Sequence, residues 1–156
     1  MAEIAPLTPL RYNLSKLPHG LGSAVAPPYD VIGEKERADL CARDPHNVVR
    51  LILPQDNGDG DAKYGRAAKL LADWRESEVL VRDTEPALYR YDQTFLPPGA
   101  AGAATGENKA ITRRGFLALV KLVPFADGIV LPHEHTLSDP KEDRLKLFRA
   151  TKTNLS

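Results

Sequence analysis

The sequence predicts an α+β (mixed α/β) domain, and three patterns carry that prediction. Residues 62–77 show the 3.6-residue periodicity of an amphipathic helix, 87–95 and 112–123 alternate as strands, and proline- or glycine-bearing breaks separate the pieces. The expected architecture is a mixed β-sheet with about three helices, in one domain over 1–156 and without an internal repeat.

In chain order, short apolar pieces at Leu7–Tyr12 and Gly22–Ala26 read as strands. Pro27 and Pro28 forbid helix and force an extended approach to Tyr29 and Asp30. Glu34–Arg43 reads as a short helix that Pro45 closes. Val48–Leu53 (VVRLIL) reads as a buried strand by its β-branched and aliphatic run. The turn 54–61 carries three aspartates, but a calcium loop beginning at Asn57 would need glycine at Ala62 and glutamate at Ala68, so calcium is excluded. Asp61 is instead the expected cap of the helix Ala62–Ser77, whose stripe of Tyr64, Ala67, Leu71 and Trp74 should face the core.

Tyr89, Tyr91, Gln93 and Phe95 share one face of the strand Ala87–Phe95. Thr112–Val123 is apolar on both faces, which predicts a central strand, and 96–111 is expected to be a flexible hairpin loop. A short strand at Ile129–Leu131 leads to a last helix from Pro140 to about Thr151, capped by Asp139, with Leu145 and Phe148 inward.

Composition narrows the function. The 156 residues carry 21 Lys plus Arg against 21 Asp plus Glu, a formal net charge of zero, which argues against a generally basic nucleic-acid binder. The single cysteine, Cys41, rules out an internal disulfide. No apolar run reaches membrane-spanning length and no signal-peptide layout opens the chain, so a cytoplasmic location with no membrane partner is expected. Phosphate-loop, dinucleotide and nucleophile-elbow motifs are absent.

Reactive groups concentrate in Leu131–Arg149. His133, Glu134 and His135 lie within three positions, and just beyond lie Lys141, Arg144, Lys146, Arg149 and Lys152 against Glu142 and Asp143. A carboxylate beside cations at the mouth of a helix suits phosphoryl transfer: the acceptor hydroxyl wants a base, and the phosphate wants positive charge and N–H donors. Two plainer readings stay open. The His133-x-His135 pair could bind a metal, although no third ligand stands nearby and no metal site is expected. The basic helix could be a solvated face. Tyr29 and Asp30 could equally be a turn behind two prolines, and His19 and His46 are expected to face solvent.

Several boxes together carry a resemblance: Ala26–Ile32 (APPYDVI), Asp44–Leu51 (DPHNVVRL), Trp74 through Leu80–Asp83 (LVRD), Ala87–Tyr91 (ALYRY), Pro132–Thr136 (PHEHT) and Pro140–Arg144 (PKEDR). In this order they resemble the bacterial and archaeal family called domain of unknown function 1015. Members are typically much longer and carry a downstream DGHHR motif of the kind seen in free serine kinases with a ParB-like fold. The chain contains no DGHHR, so on this view it is the N-terminal part of the family architecture, and its expected partners include a missing C-terminal portion or a second copy through self-association.

The resemblance implies that Pro132-His133-Glu134 matches the kinase element whose glutamate is the catalytic base. Glu134 would take the proton of a serine hydroxyl. His133, His135, Lys141 and Arg144 would hold phosphate, and Tyr29 and Asp30 the substrate. Mg²⁺ would arrive with a nucleotide or pyrophosphate donor. The alternative is a non-catalytic ParB-like module that binds a nucleotide or nucleic acid. A third reading is an assembly domain whose helix face packs against the missing C-terminal part, which predicts an exposed apolar patch and oligomerisation of the isolated fragment.

Overall fold

The structure is a computed structural model that describes residues 1–97, 110–132 and 138–155. In chain order the elements are β1 (Ile4–Ala5), β2 (Leu10–Tyr12), α1 (Leu21–Ala24), α2 (Glu34–Arg43), α3 (Val49–Ile52), α4 (Ala62–Glu76), β3 (Leu80–Arg82), β4 (Tyr89–Phe95), β5 (Ile111–Leu117), β6 (Leu119–Val120) and α5 (Ser138–Thr151). Single 3₁₀ turns occur at Leu14–Lys16, Tyr29–Val31 and Phe125–Asp127. The α+β class is as expected. The expected mixed sheet is replaced, among the described residues, by three two-stranded antiparallel sheets, β1–β6, β2–β3 and β4–β5.

The chain forms two compact units. One comprises Leu10–Arg82 with Glu134–Ser156, the other Met1–Pro9 with Asp83–His133. In the first, the two long helices follow from pattern. Helix α2 occupies the expected span, and α4 buries Tyr64, Ala67, Leu71 and Trp74 along the expected stripe. Leu51, Leu71, Trp74 and Val79 form one core, joined by Tyr12 and Leu80 of the β2–β3 pair. Leu147 of α5 closes a second core over Tyr64 and Ala67. Every buried residue among those described lies in this unit.

Four expectations fail here for local reasons. Gly22–Ala26 is not a strand: Gly20, at φ 75°, turns the chain into the single helical turn α1. Val48–Leu53 is helical at Val49–Ile52, because the Asn47 side chain accepts the Val49 amide (3.0 Å) and Arg50 Nη2 donates to the Cys41 carbonyl at the end of α2 (2.7 Å). Burial of Val49, Leu51 and Ile52 then outweighs their β propensity. Asp61 precedes α4 but makes no cap bond; its carboxylate pairs with Lys146 at 3.0 Å. Helix α5 starts at Ser138 and turns Leu147 inward, leaving Leu145 (44%) and Phe148 (51%) exposed.

In the other unit, β4 and β5 pair in unbroken register from Tyr89↔Leu117 to Phe95↔Ile111. The expected strand 112–123 changes partner at Ala118: β5 pairs with β4, and β6 pairs with β1 through Ile4↔Val120. Every residue of β5 and β6 is exposed, so neither is a buried central strand. Ile129–Leu131 is not a strand, because Gly128 at φ 64° bends the chain out of extended geometry just before it. Most of the expected 96–111 loop lies outside the described residues.

Candidate functional site

Arg144, in the second turn of α5, reaches three partners. Its Nη1 donates to the Ile52 carbonyl at the end of α3 (2.6 Å), its Nε and Nη2 donate to Asp143, and its guanidinium lies 3.9 Å from the centroid of the Tyr29 ring. A planar cation stacked on an aromatic face is attracted by the ring quadrupole, and the fork geometry leaves that stacking compatible with a carboxylate at the edge. The extended backbone of Pro28 (φ −53°, ψ 141°) delivers Tyr29 into its 3₁₀ turn.

Asp143 is the hub beneath it. Its Oδ1 accepts the Tyr64 hydroxyl at 2.7 Å and lies 3.5 Å from Lys63 Nζ, which in turn reaches Asp56 at 3.3 Å. Burial alone would raise the Asp143 carboxyl, but the Tyr64 hydroxyl, Arg144 and Lys63 outweigh it and hold it below the usual value. Burial and the Asp143 acceptor push the Tyr64 phenol up to about 12. Two cations and two carboxylates therefore neutralise one another here. Beside Arg144, a cavity of about 290 Å³ opens along α5, with Leu145, Phe148 and Leu155 in its lining.

A second polar cluster supports the approach to Tyr29. Asp44, fully buried, accepts the His46 amide (2.7 Å) and the Ser23 hydroxyl (3.0 Å). Asn47, also fully buried, donates to the carbonyls of Ser23 (2.7 Å) and Val25 (2.9 Å), and the Tyr12 hydroxyl donates to the His46 carbonyl (2.6 Å). Burial pushes the Asp44 carboxyl up, yet the His46 amide, the Ser23 hydroxyl and the nearby His46 and His19 rings hold it below the usual value. These bonds satisfy the backbone of 23–25 and so fix where the Pro27–Tyr29 segment begins.

Of the residues expected from sequence, Tyr29 and Arg144 meet; Asp30 and Lys141 are exposed; His133, Glu134 and His135 lie outside the described residues. His46 does not simply face solvent: its ring stands edge-on to Trp74 at 5.6 Å, with Nδ1 3.6 Å from Asp44. Sequence reasoning missed Lys63, Tyr64 as a hydroxyl donor, Asp143 as a hub, and the Asp44–Asn47 cluster. An available signal for the last was Asp44 and Asn47 just ahead of an apolar run, the position of residues that bond backbone at a helix start. Among the described residues, no group of three His, Cys, Asp or Glu could hold a metal ion, and no helix is long and apolar enough to cross a membrane.

The fold and this cluster define an α+β protein in which two sequence-distant boxes, PPYD and PKEDR, are joined by an arginine stacked on a tyrosine. The family described as "Protein of unknown function (DUF1015)" matches residues 4–156, and the chain belongs to it. No curated protein and no solved structure matches the chain.

Proposed function

We propose that the protein is a cytoplasmic phosphotransferase of ParB-like architecture acting on free serine or a similar small hydroxyl metabolite. The observation that carries this reading is the Arg144–Tyr29 stack, whose arginine also lines a cavity of about 290 Å³, just under the usual size of small-ligand sites. It joins a residue assigned to phosphate with one assigned to substrate, from boxes more than a hundred residues apart.

In this reading Glu134 removes the proton from the acceptor hydroxyl as its oxygen bonds the transferred phosphorus, while the bond from phosphorus to the donor's bridging oxygen breaks. His133, His135 and the exposed Lys141 hold the phosphate. Arg144, already paired with Asp143, fixes the second turn of α5 against Tyr29 and lines the cavity edge. Mg²⁺ comes with the nucleotide or pyrophosphate, since it binds largely through substrate phosphates, and the exposed carboxylate of Asp30 is the group suited to the substrate amine.

The test is ³¹P NMR of L-serine with ATP, ADP or pyrophosphate and Mg²⁺, using the full natural protein and its Glu134→Gln variant. A phosphoserine signal that the variant loses supports the reading. A folded protein that produces none with any donor sinks it and favours the non-catalytic nucleotide-binding alternative.

A further inference from the structure

We propose that His46 and Asp44 form a proton-operated latch on the Ser23–Val25 turn that begins the path to Tyr29, closed when the His46 ring carries two protons and released when it is neutral. The latch starts from a charge imbalance. Asp44 is fully buried, and its carboxylate accepts two neutral donors, the His46 amide on Oδ1 (2.7 Å) and the Ser23 hydroxyl on Oδ2 (3.0 Å). An enclosed carboxylate is costly unless it is paired as well as hydrogen-bonded. Among the described residues, the side chain within ion-pair distance is that of His46, whose Nδ1 stands 3.6 Å from Oδ1. Unlike lysine or arginine, a histidine gains and loses its charge in the middle of the pH scale.

The geometry holds this partner just short of engagement. Nδ1 is shut off from solvent and has no hydrogen-bond partner, since 3.6 Å is too long for one. The ring stands edge-on to Trp74 of α4, and the His46 carbonyl accepts the Tyr12 hydroxyl, so ring and backbone are both anchored. A lone pair on Nδ1 would face a carboxylate oxygen, so neutral His46 carries its hydrogen there and keeps its lone pair on Nε2. A second proton, taken up at Nε2, makes the ring a cation. A small rotation then brings the Nδ1–H to the roughly 2.8 Å of a charge-assisted bond.

The other titratable and charged groups around the pair leave the role to His46. From β2, the Tyr12 phenol is raised by burial and by Asp44, so it keeps its proton throughout the range in which a histidine titrates. From α3, Arg50 Nη2 is committed to the Cys41 carbonyl. From α1 comes the Ser23 hydroxyl and from α4 the uncharged Trp74. His19, ahead of α1, is exposed and bears on Asp44 through its charge alone.

Release has a defined target. Asn47 holds the Ser23 and Val25 carbonyls with an uncharged amide, which is indifferent to pH, and the Val48 amide donates to the Ala24 carbonyl at 2.7 Å. The Asp44–Ser23 bond is the part of this turn that depends on how well the carboxylate is balanced. The turn is therefore tighter below the His46 titration and looser above it, until acid protonates Asp44 itself.

Trp74 is the one tryptophan of the chain, and an imidazolium against an indole quenches its fluorescence, so a titration of the 156-residue chain from about pH 9 to about pH 5 reads the latch. A quench on acidification is expected, abolished by His46→Gln and kept by His19→Gln. Asp44→Asn should move its midpoint down by about one pH unit or more, at least a tenfold loss of proton affinity. Two readings need no variant of Asp44. Long-range ¹⁵N–¹H spectra of the natural protein should show neutral His46 protonated on Nδ1. The Val48 amide, corrected for intrinsic exchange, should be at least about threefold better protected below the midpoint than above it. A quench that survives His46→Gln, a midpoint indifferent to Asp44→Asn, an Nε2–H tautomer or a Val48 amide blind to the transition overturns the proposal.

Discussion

Trp74 and Phe116 are both large aromatics on strongly patterned elements, yet Trp74 keeps 4% of its surface and Phe116 keeps 60%. The difference is what lies above each. Helix α4 has Tyr12 and His46 around Trp74 and Leu147 of α5 over its neighbouring stripe, whereas β5 pairs with β4 edge to edge and neither face of the pair holds a buried residue. Periodicity selects which side chains share a face. A second layer is needed before that face becomes a core, and a two-stranded ribbon in water is marginal without one.

The comparison is most directly broken by matched truncations. Leu71→Ala, read by Trp74 fluorescence in urea, should cost about 2–5 kcal/mol, while Leu119→Ala in the exposed β6 should cost less than about 0.5 kcal/mol. Equal losses would mean the two regions are not different in kind.

Next comes the buried polar cluster. Asn47→Ala leaves the Ser23 and Val25 carbonyls and the Val49 amide without their partner and should cost about 1–3 kcal/mol in the same assay. Asp44 adds a pH signature. Its folded carboxyl sits below its unfolded value of about 3.9, so its contribution is complete above that pH and is lost as pH falls through the lower folded value. The urea midpoint should therefore drop more steeply below about pH 4 in the natural protein than in Asp44→Asn.

Removing one hydroxyl at the candidate site has a smaller effect. Tyr64→Phe keeps the ring between Ala67 and Leu147 but leaves Asp143 without its 2.7 Å donor, for a loss of about 0.5–1.5 kcal/mol. It should also reduce the tyrosinate absorbance that appears only in strongly alkaline solution, leaving the part due to Tyr12, whose phenol is likewise raised by burial.

One change has the opposite sign. Glu78 ends α4 at φ 60°, where glycine carries no Cβ penalty, so Glu78→Gly should raise stability by roughly 1 kcal/mol. A loss there would show that the glutamate side chain has a role beyond the turn.

How far the fold was legible follows from the same contrast. The stripe of Tyr64, Ala67, Leu71 and Trp74 could be read whole because a long amphipathic pattern admits one solution. VVRLIL could not, because a four-residue buried helix and a buried strand share that composition; the deciding atoms are the side chains of Asn47 and Arg50. On α5 the apolar positions were visible but their rotation was not, since Leu145, Leu147 and Phe148 crowd adjacent positions and only packing against Tyr64 and Ala67 selects Leu147. At the candidate site, the family boxes nominated Tyr29 and Arg144. Lys63, the Tyr64 hydroxyl and the Ile52 carbonyl join them through tertiary geometry, which leaves no mark on local spacing.

The pairing of Leu147 with Ala67 also bears on how the chain leaves the ribosome. Eighty residues separate the two, so at about 5–20 residues per second the lower stripe of α4 is made some 4–16 s before its cover exists. The Trp74 side of the same helix has most of its cover, Tyr12 and Leu51 before it and Val79 and Leu80 a few residues after it, long before Leu155 adds the last piece. One face of α4 can therefore settle during synthesis while the other waits, open to chaperones, until α5 has been translated.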